Sequence, residues 1–401
     1  MTAAPEPRSR RGAASWPVYV GGFIGPFGGA MVSPMLPELR DALHTSLAVI
    51  ASNMSFYLVP FAICLLWSGT LAEIWGRRRT LLFAYLAYAA ASVVCALASS
   101  APLFLAGRVG QGIANAFTTP ILMSVLVEIT EGRRLGRVLG FFGSVQAAGL
   151  TFAPMIGGLC AALDWRLAFW TTMAAALGLA VVPLPTPDTA ASPTPQEAPS
   201  AADRWRSLFN APLALASTVA ALNYFTVMGL TLLGVLLADD RFDLPPQGRG
   251  LVVGSFGVAG LIGGGYVGRL LERLGPRRFG VAASIAMVAA CVLAALAPAA
   301  LVLFAALFLG GLAGMATRVS VNSLAVNSAP ANRGGAASFM LACQFLGGSI
   351  SPVLLVPFYR HHPTLGMVVA AAGAALATLV LAAAPARLLS VPEPTPARPS
   401  P

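Results

Sequence analysis

Arginine inside an apolar stretch must either bind something or be satisfied by the fold, and this chain carries two such residues, Arg108 and Arg318. Arg108, Gln111 and Asn115 recur at i, i+3 and i+7, so a helix over this stretch presents them as one polar stripe. A stripe on an otherwise apolar helix faces a water-filled cavity or, for the arginine, snorkels to the nearer headgroups. Counting from Pro102, Arg108 lies roughly 9 Å inside its helix. From there its guanidinium could attract an anionic group, or lower the pKa of a carboxylate such as Asp41 or Glu38. Arg318, counted from Ala300, falls about 27 Å along its own helix, which suits a topology anchor as well as a cavity charge. Gln146 and Gln344 put uncharged amides near the middle of their stretches, as substrate contacts or interhelical hydrogen bonds. Asn223 and Tyr224 are further cavity candidates, and Tyr224 with Phe23, Phe27 and Phe225 suits an amphipathic organic molecule. Catalytic chemistry has no comparable support. The three histidines, His44, His361 and His362, and the five cysteines form no metal-ligand spacing, and no nucleophile stands beside a base. These absences argue against an enzyme, a metal site and a cofactor.

The elements that position these residues follow from composition. Hydrophobic residues make up 57% of the 401 and charged residues 10%, against about 25% charged in soluble domains. With a mean hydropathy of +0.77, the chain cannot dress a water-facing surface, so its solvent is lipid. Stretches of bilayer-crossing length lie at about 17–37, 46–70, 80–99, 102–128, 136–162 and 166–184, then at 212–238, 249–271, 278–298, 300–325, 335–358 and 364–385. Between the sets runs a segment rich in Pro, Ala, Thr and Ser, a linker by composition. The predicted organisation is an N-terminal tail (1–16), a six-helix bundle (17–184), a cytoplasmic linker (185–211), a second six-helix bundle (212–386) and a C-terminal tail (387–401). All 25 basic residues are arginine. With both termini cytoplasmic, eighteen of the 25 fall on the cytoplasmic side, five outside and two within spans. The positive-inside rule therefore accounts for the net charge of +10 without nucleic acid, and places the chain in the cell (inner) membrane.

The two halves repeat. Gly69, Leu71, Glu73, Gly76, Arg77 and Arg78 after the second span match Gly268, Leu270, Glu272, Gly275 and the arginine pair Arg277 and Arg278 after the eighth, most of them 199 residues on. Gln146, Gly149 and Pro154 match Gln344, Gly347 and Pro352 at a spacing of 198. Parallel six-helix repeats joined by a long linker describe a transporter whose site lies between them. At these residues the chain resembles the major facilitator superfamily of transporters, over roughly residues 15–386. The run Gly69 to Arg79 resembles its signature after the second helix, with Glu73 where an Asp is usual. Leu105, Arg108, Gln111 and Gly112 resemble its fourth-helix motif. Gly149, Pro154, Gly157 and Gly158 resemble the fifth-helix motif of twelve-helix drug:proton antiporters, with Ala153 where Gly is common.

The resemblance implies an all-α fold of twelve transmembrane helices in two pseudo-symmetric bundles. It also implies export of a small amphipathic molecule by proton antiport and a chain that works as a monomer. A uniporter or importer of an organic anion is the alternative. Gly69, Glu73, Gly76, Arg77, Arg78 and Glu128 form a conformational latch or, in the other reading, the loop supplies positive-inside anchors for topology. By the resemblance Arg108 couples to protons, although no acid lies between Trp16 and Pro37 as it does in many such antiporters.

Overall fold

The computed structural model describes residues 16–130, 132–182, 206, 208–329 and 332–385, and all its regular elements are helices. The predicted tails and most of the linker lie outside these residues. In chain order the helices are α1 (Trp16–Ala30), α2 (Asn53–Trp75), α3 (Arg77–Ala96), α4 (Ala101–Ile129), α5 (Gly132–Leu163) and α6 (Arg166–Val181). The second half holds α7 (Ala211–Asp240), then α8 (246–274) and α9 (276–295) within one run broken at Gly275, then α10 (Ala300–Ser328), α11 (Arg333–His361) and α12 (Pro363–Ala383). Nine helices among the described residues are long and apolar enough to cross a bilayer by length and composition. The remaining three spans are α1, which is interrupted, α6, whose described part has 16 residues, and α8, which runs on into α9. Twelve helices in two bundles of six result.

Local chemistry sets the breaks. Pro34 has no N–H to continue the ladder of α1, so the chain passes through a 3-10 turn (Ser33–Met35) into a short helix, Leu36–Ala42. Ser46 caps the turn Leu47–Ala51 that leads into α2, accepting the Val49 N–H at 3.3 Å. Asn210 caps α7 and Asn332 caps α11 in the same way. Between α2 and α3, and again between α8 and α9, the chain reverses at a glycine with positive φ, +86° at Gly76 and +74° at Gly275. These are the paired glycines of the sequence repeat.

The repeat is also one of packing. A Cβ on Gly149 would run into the Phe23 carbonyl of α1, and one on Gly347 into the Ala221 carbonyl of α7. Gly112 presses on the Tyr57 carbonyl of α2, and Gly311 on the Phe256 carbonyl of α8. Partner and glycine move by the same 198 or 199 positions, so each half is built on the same backbone approaches. Outside the bundles, Trp67, Phe83, Tyr266, Val353 and Leu379 are exposed, the outward face expected of a lipid-solvated chain.

Candidate functional site

The halves meet along two seams, α2 with α11 and α5 with α8. Both seams are tight toward one end. Gly158 and Gly250 leave no room for a side chain against the Pro246 and Pro154 carbonyls, and Ser55 Oγ donates to the Ser349 carbonyl at 2.5 Å. Toward the other end, where Gly76 and Gly275 turn, α5 and α8 part. Gly140, Gly143, Gly260 and Gly268 have nothing within 4 Å of an added Cβ. Phe61 of α2 still meets Phe345 of α11 edge-on, with centroids 4.8 Å apart.

An ion cluster covers the closed end. Arg249, at the start of α8, is 2% exposed and bonds Asp239 of α7 at 2.7 Å. Its other terminal nitrogen bonds Glu38, in the extension of α1. One guanidinium therefore ties the two halves together. A charge so buried is stable only while paired, because removing either acid leaves it partly uncompensated. Nearby Tyr359 donates to Asp240 at 2.8 Å. The charge count along the sequence places Arg249 among the five arginines on the outer side, with no partner assigned. Its pairing with Glu38 spans 211 positions and leaves no local signal.

Below the cluster lies a cavity of about 130 Å³ between the halves. Its walls are mainly apolar, with polar groups from Ser33, Asn223, Tyr224, Thr231 and Arg318. Asn223 and Tyr224 thus stand where the sequence placed them. Arg318 does not sit at the membrane face. Helix α10 continues ten residues beyond it to Ser328, about 15 Å, so counting from Ala300 alone put it too near the end. Its guanidinium turns back along the helix, 3.1 Å from Met315 Sδ.

Arg108 occupies neither predicted place. It is fully buried between α1, α2 and α4 and does not line the cavity. It donates to the Gly28 and Gly29 carbonyls at 3.0 and 3.4 Å and to Gln111 Oε1 at 2.7 Å, with its cation 4.5 Å from the Tyr57 ring centre. Gly28 and Gly29 belong to the last turn of α1, whose carbonyls lack partners further along the helix. Arg108 therefore caps the end of an interrupted helix, where a cation is favoured. Gln111 reaches on to Ser92 at 2.9 Å, and Asn115 bonds the Gly25 carbonyl at 3.1 Å and the Tyr57 hydroxyl at 2.6 Å. The polar stripe is real, and it faces α1 through Arg108 and Asn115 and α3 through Gln111.

The remaining candidates divide. Gln146 hydrogen-bonds Thr119 at 3.3 Å, and Gln344 is buried away from the cavity. Asp41 pairs with Arg40 at the exposed end, far along the chain from Arg108, and that hydrogen bond holds its carboxyl below the usual carboxylate range. In the turn between α2 and α3, Arg77 pairs with Glu128 of α4, whereas Glu73 is exposed and in no ion pair among the described residues. Arg78 is exposed, and Gly69 has open space around it. In α5 the motif is two-sided: Gly149 and Gly157 press on α1, while Pro154 and Gly158 press on α8.

Two six-helix halves with repeated glycine contacts, closed at one end over a central cavity, are the frame of one transporter class. A sequence profile of the Major Facilitator Superfamily matches residues 18–352 and 224–401. The chain belongs to this superfamily. It is therefore a transporter and a multi-pass membrane protein, not an enzyme. This superfamily member is 31% identical over 150 residues to the multidrug resistance protein MdtL of Escherichia coli, covering 37% of this chain and 38% of that one. It is 27% identical over 185 residues to a Streptomyces coelicolor protein named for actinorhodin transport, covering 45% of this chain and 32% of the other. The matched region thus spans about a third of either relative. The nucleoside transporter NupG shares the fold, with a TM-score of 0.77 at 12% identity over 92% of this chain and 99% of that one.

Proposed function

We propose that this transporter exports a small amphipathic organic molecule by proton antiport through alternating access, from a cytoplasmic-facing cavity in the inner membrane. The observation that carries the reading is the asymmetry of the α5/α8 seam, packed backbone to backbone at Gly158 and Gly250 and parted at Gly143 and Gly260. The positive-inside rule assigns the parted, arginine-rich end to the cytoplasm, so cargo loads from inside. Export is further supported by the two relatives named for drug resistance and for actinorhodin transport.

Opening the other side requires the Glu38–Arg249–Asp239 cluster to separate. Protonation of Glu38 or Asp239 removes one of the two charges that hold Arg249, so protons arriving from outside favour release. At the cytoplasmic end Arg77 with Glu128 joins the turn after α2 to α4 within the first half, and so holds that turn in place in the cytoplasm-open state. Arg108 serves the cycle by fixing the break in α1. One chain contains the whole site, so the working unit is a monomer.

The test is transport in inside-out vesicles, with a panel of fluorescent amphipathic compounds and an imposed inward-acid gradient. Cargo accumulates in the lumen with the gradient, a protonophore stops it, and Glu38→Gln blunts the dependence on the gradient. Uptake indifferent to the gradient in both wild type and Glu38→Gln would remove proton coupling. Movement only in the opposite direction would remove export.

A further inference from the structure

We infer that the cargo is an amphipathic organic monoanion, a carboxylate or sulfonate on an apolar body, and that Arg318 is the residue that recognises its charge. This rests on the reading of the central cavity as the transport site. Arg318 is the one charged group among the described residues lining that cavity. Among the described residues no carboxylate lies within ion-pair distance of it, in contrast to Arg249, which holds two.

A lone cation at this depth is costly, about 2.5–3.5 kcal/mol even on insertion scales that allow relaxation. Snorkelling does not relieve it. The nearer helix end is ten residues away at Ser328, and the guanidinium points the other way, toward Met315. Its only hydrogen-bond acceptor among the described residues is that thioether, a weak one, so most of its donor capacity faces the cavity. A planar fork of N–H donors fits the two oxygens of a carboxylate or two of a sulfonate.

The neighbouring groups extend the same match. Asn223 and Tyr224, neighbours on α7, add amide and hydroxyl donors to the lining of the same cavity. The rest of the lining is mainly apolar, with Met54, Leu150, Val253 and Phe256 in it, and takes an apolar body. A single cation balances a single negative charge. A dianion would leave one charge uncompensated, and an organic cation would face Arg318 with no acid to offset the repulsion.

The experiment compares three probes of one shape on the full chain purified in detergent: 1-naphthoate, 1-naphthamide and 1-naphthylmethylammonium. In wild type, naphthoate binds roughly 10- to 100-fold tighter than naphthamide, the range set by hydrogen bonds to a charged group, and the ammonium binds weakest. Arg318→Gln removes the preference for naphthoate while naphthamide affinity stays, and Arg318→Lys restores part of it. Equal binding of all three probes by wild type, or preference for the ammonium, overturns the inference even if the variants fail to fold. A naphthoate preference that survives Arg318→Gln overturns the assignment to Arg318. Proteoliposome flux keeps the two readings apart. Selective binding of naphthoate without its movement across the bilayer counts against the cavity as a transport site. Movement of neutral or cationic probes with no Arg318 dependence counts against the anion inference alone.

Discussion

At the residue scale the decisive contrast is between two arginines that look alike in sequence. Arg108 is spent on backbone carbonyls, while Arg318 has a cavity and no counter-charge. Their substitutions should therefore fail differently. Arg108→Ala strips the end of α1 of a charged donor and leaves Gln111 Oε1 with the weak Cys95 thiol donor at 4.0 Å, at about 1.5–3 kcal/mol for a hydrogen bond to a charged group. A thermal melt in detergent should show a clear fall in Tm, partly recovered by Arg108→Lys, and any transport loss should follow the loss of folded protein. Arg318→Gln should leave the melt close to wild type and change which probe binds. The acids divide in the same manner. Asp41 is exposed and held low by Arg40, so it stays ionised through the neutral range and protonates only as pH falls below the ordinary carboxylate value. Asp41→Asn should accordingly leave the pH profile of transport unmoved between pH 6 and 8 (about two pKa units or more above the free carboxylate). A shifted profile would return Asp41 to the coupling machinery.

At the scale of elements, glycine placement decides what the helices can do. Gly158→Val inserts a branched side chain where α5 meets the Pro246 carbonyl, so the closed end should be held apart. In a cysteine-free background, Met155→Cys with Gly254→Cys should cross-link readily, since a Cβ at 254 would lie 2.6 Å from Met155 Cγ. Adding Gly158→Val should cut the yield severalfold, and an unchanged yield would show that the seam repacks around the insertion. Gly76 differs, because nothing crowds it and only its backbone angle is unusual. Gly76→Val should cost about 1–3 kcal/mol through strain, read in the same melt.

Much of this was legible in the sequence. The paired glycines near 76 and 275 and the α5/α11 match announce the repeat, because a positive φ in the first case and a close backbone approach in the second admit one residue type and leave a fixed mark. The direction of the Arg108 stripe was not legible, since periodicity shows that residues share a face without showing which helix that face meets. Arg318 was set too near the membrane surface because α10 overruns it by three turns. The Arg249 cluster joins residues 38, 239 and 249, and charge pairing across that separation has no period to find.

At the scale of the whole molecule, orientation comes first. Arg241 and Arg134 are both exposed, at opposite ends of the bundle. In cells carrying otherwise cysteine-free protein, a membrane-impermeant thiol reagent should label Arg241→Cys and spare Arg134→Cys; the reverse pattern would invert the transport direction. The unbalanced charge of Arg318 then has an electrical meaning. When the cavity is open to one side, the site takes on the potential of that side. An empty carrier presents one positive charge there, while a carrier holding a monoanion presents none. A membrane negative inside therefore draws the empty form toward the cytoplasmic-open state, by up to about 2.3 kcal/mol per 100 mV if the site samples the whole field, and exerts no pull on the loaded form. In vesicles clamped with potassium and valinomycin, hyperpolarisation should speed net efflux, which needs the empty return, and leave one-for-one exchange of labelled for unlabelled cargo unchanged. The membrane potential would reset this transporter without touching its cargo.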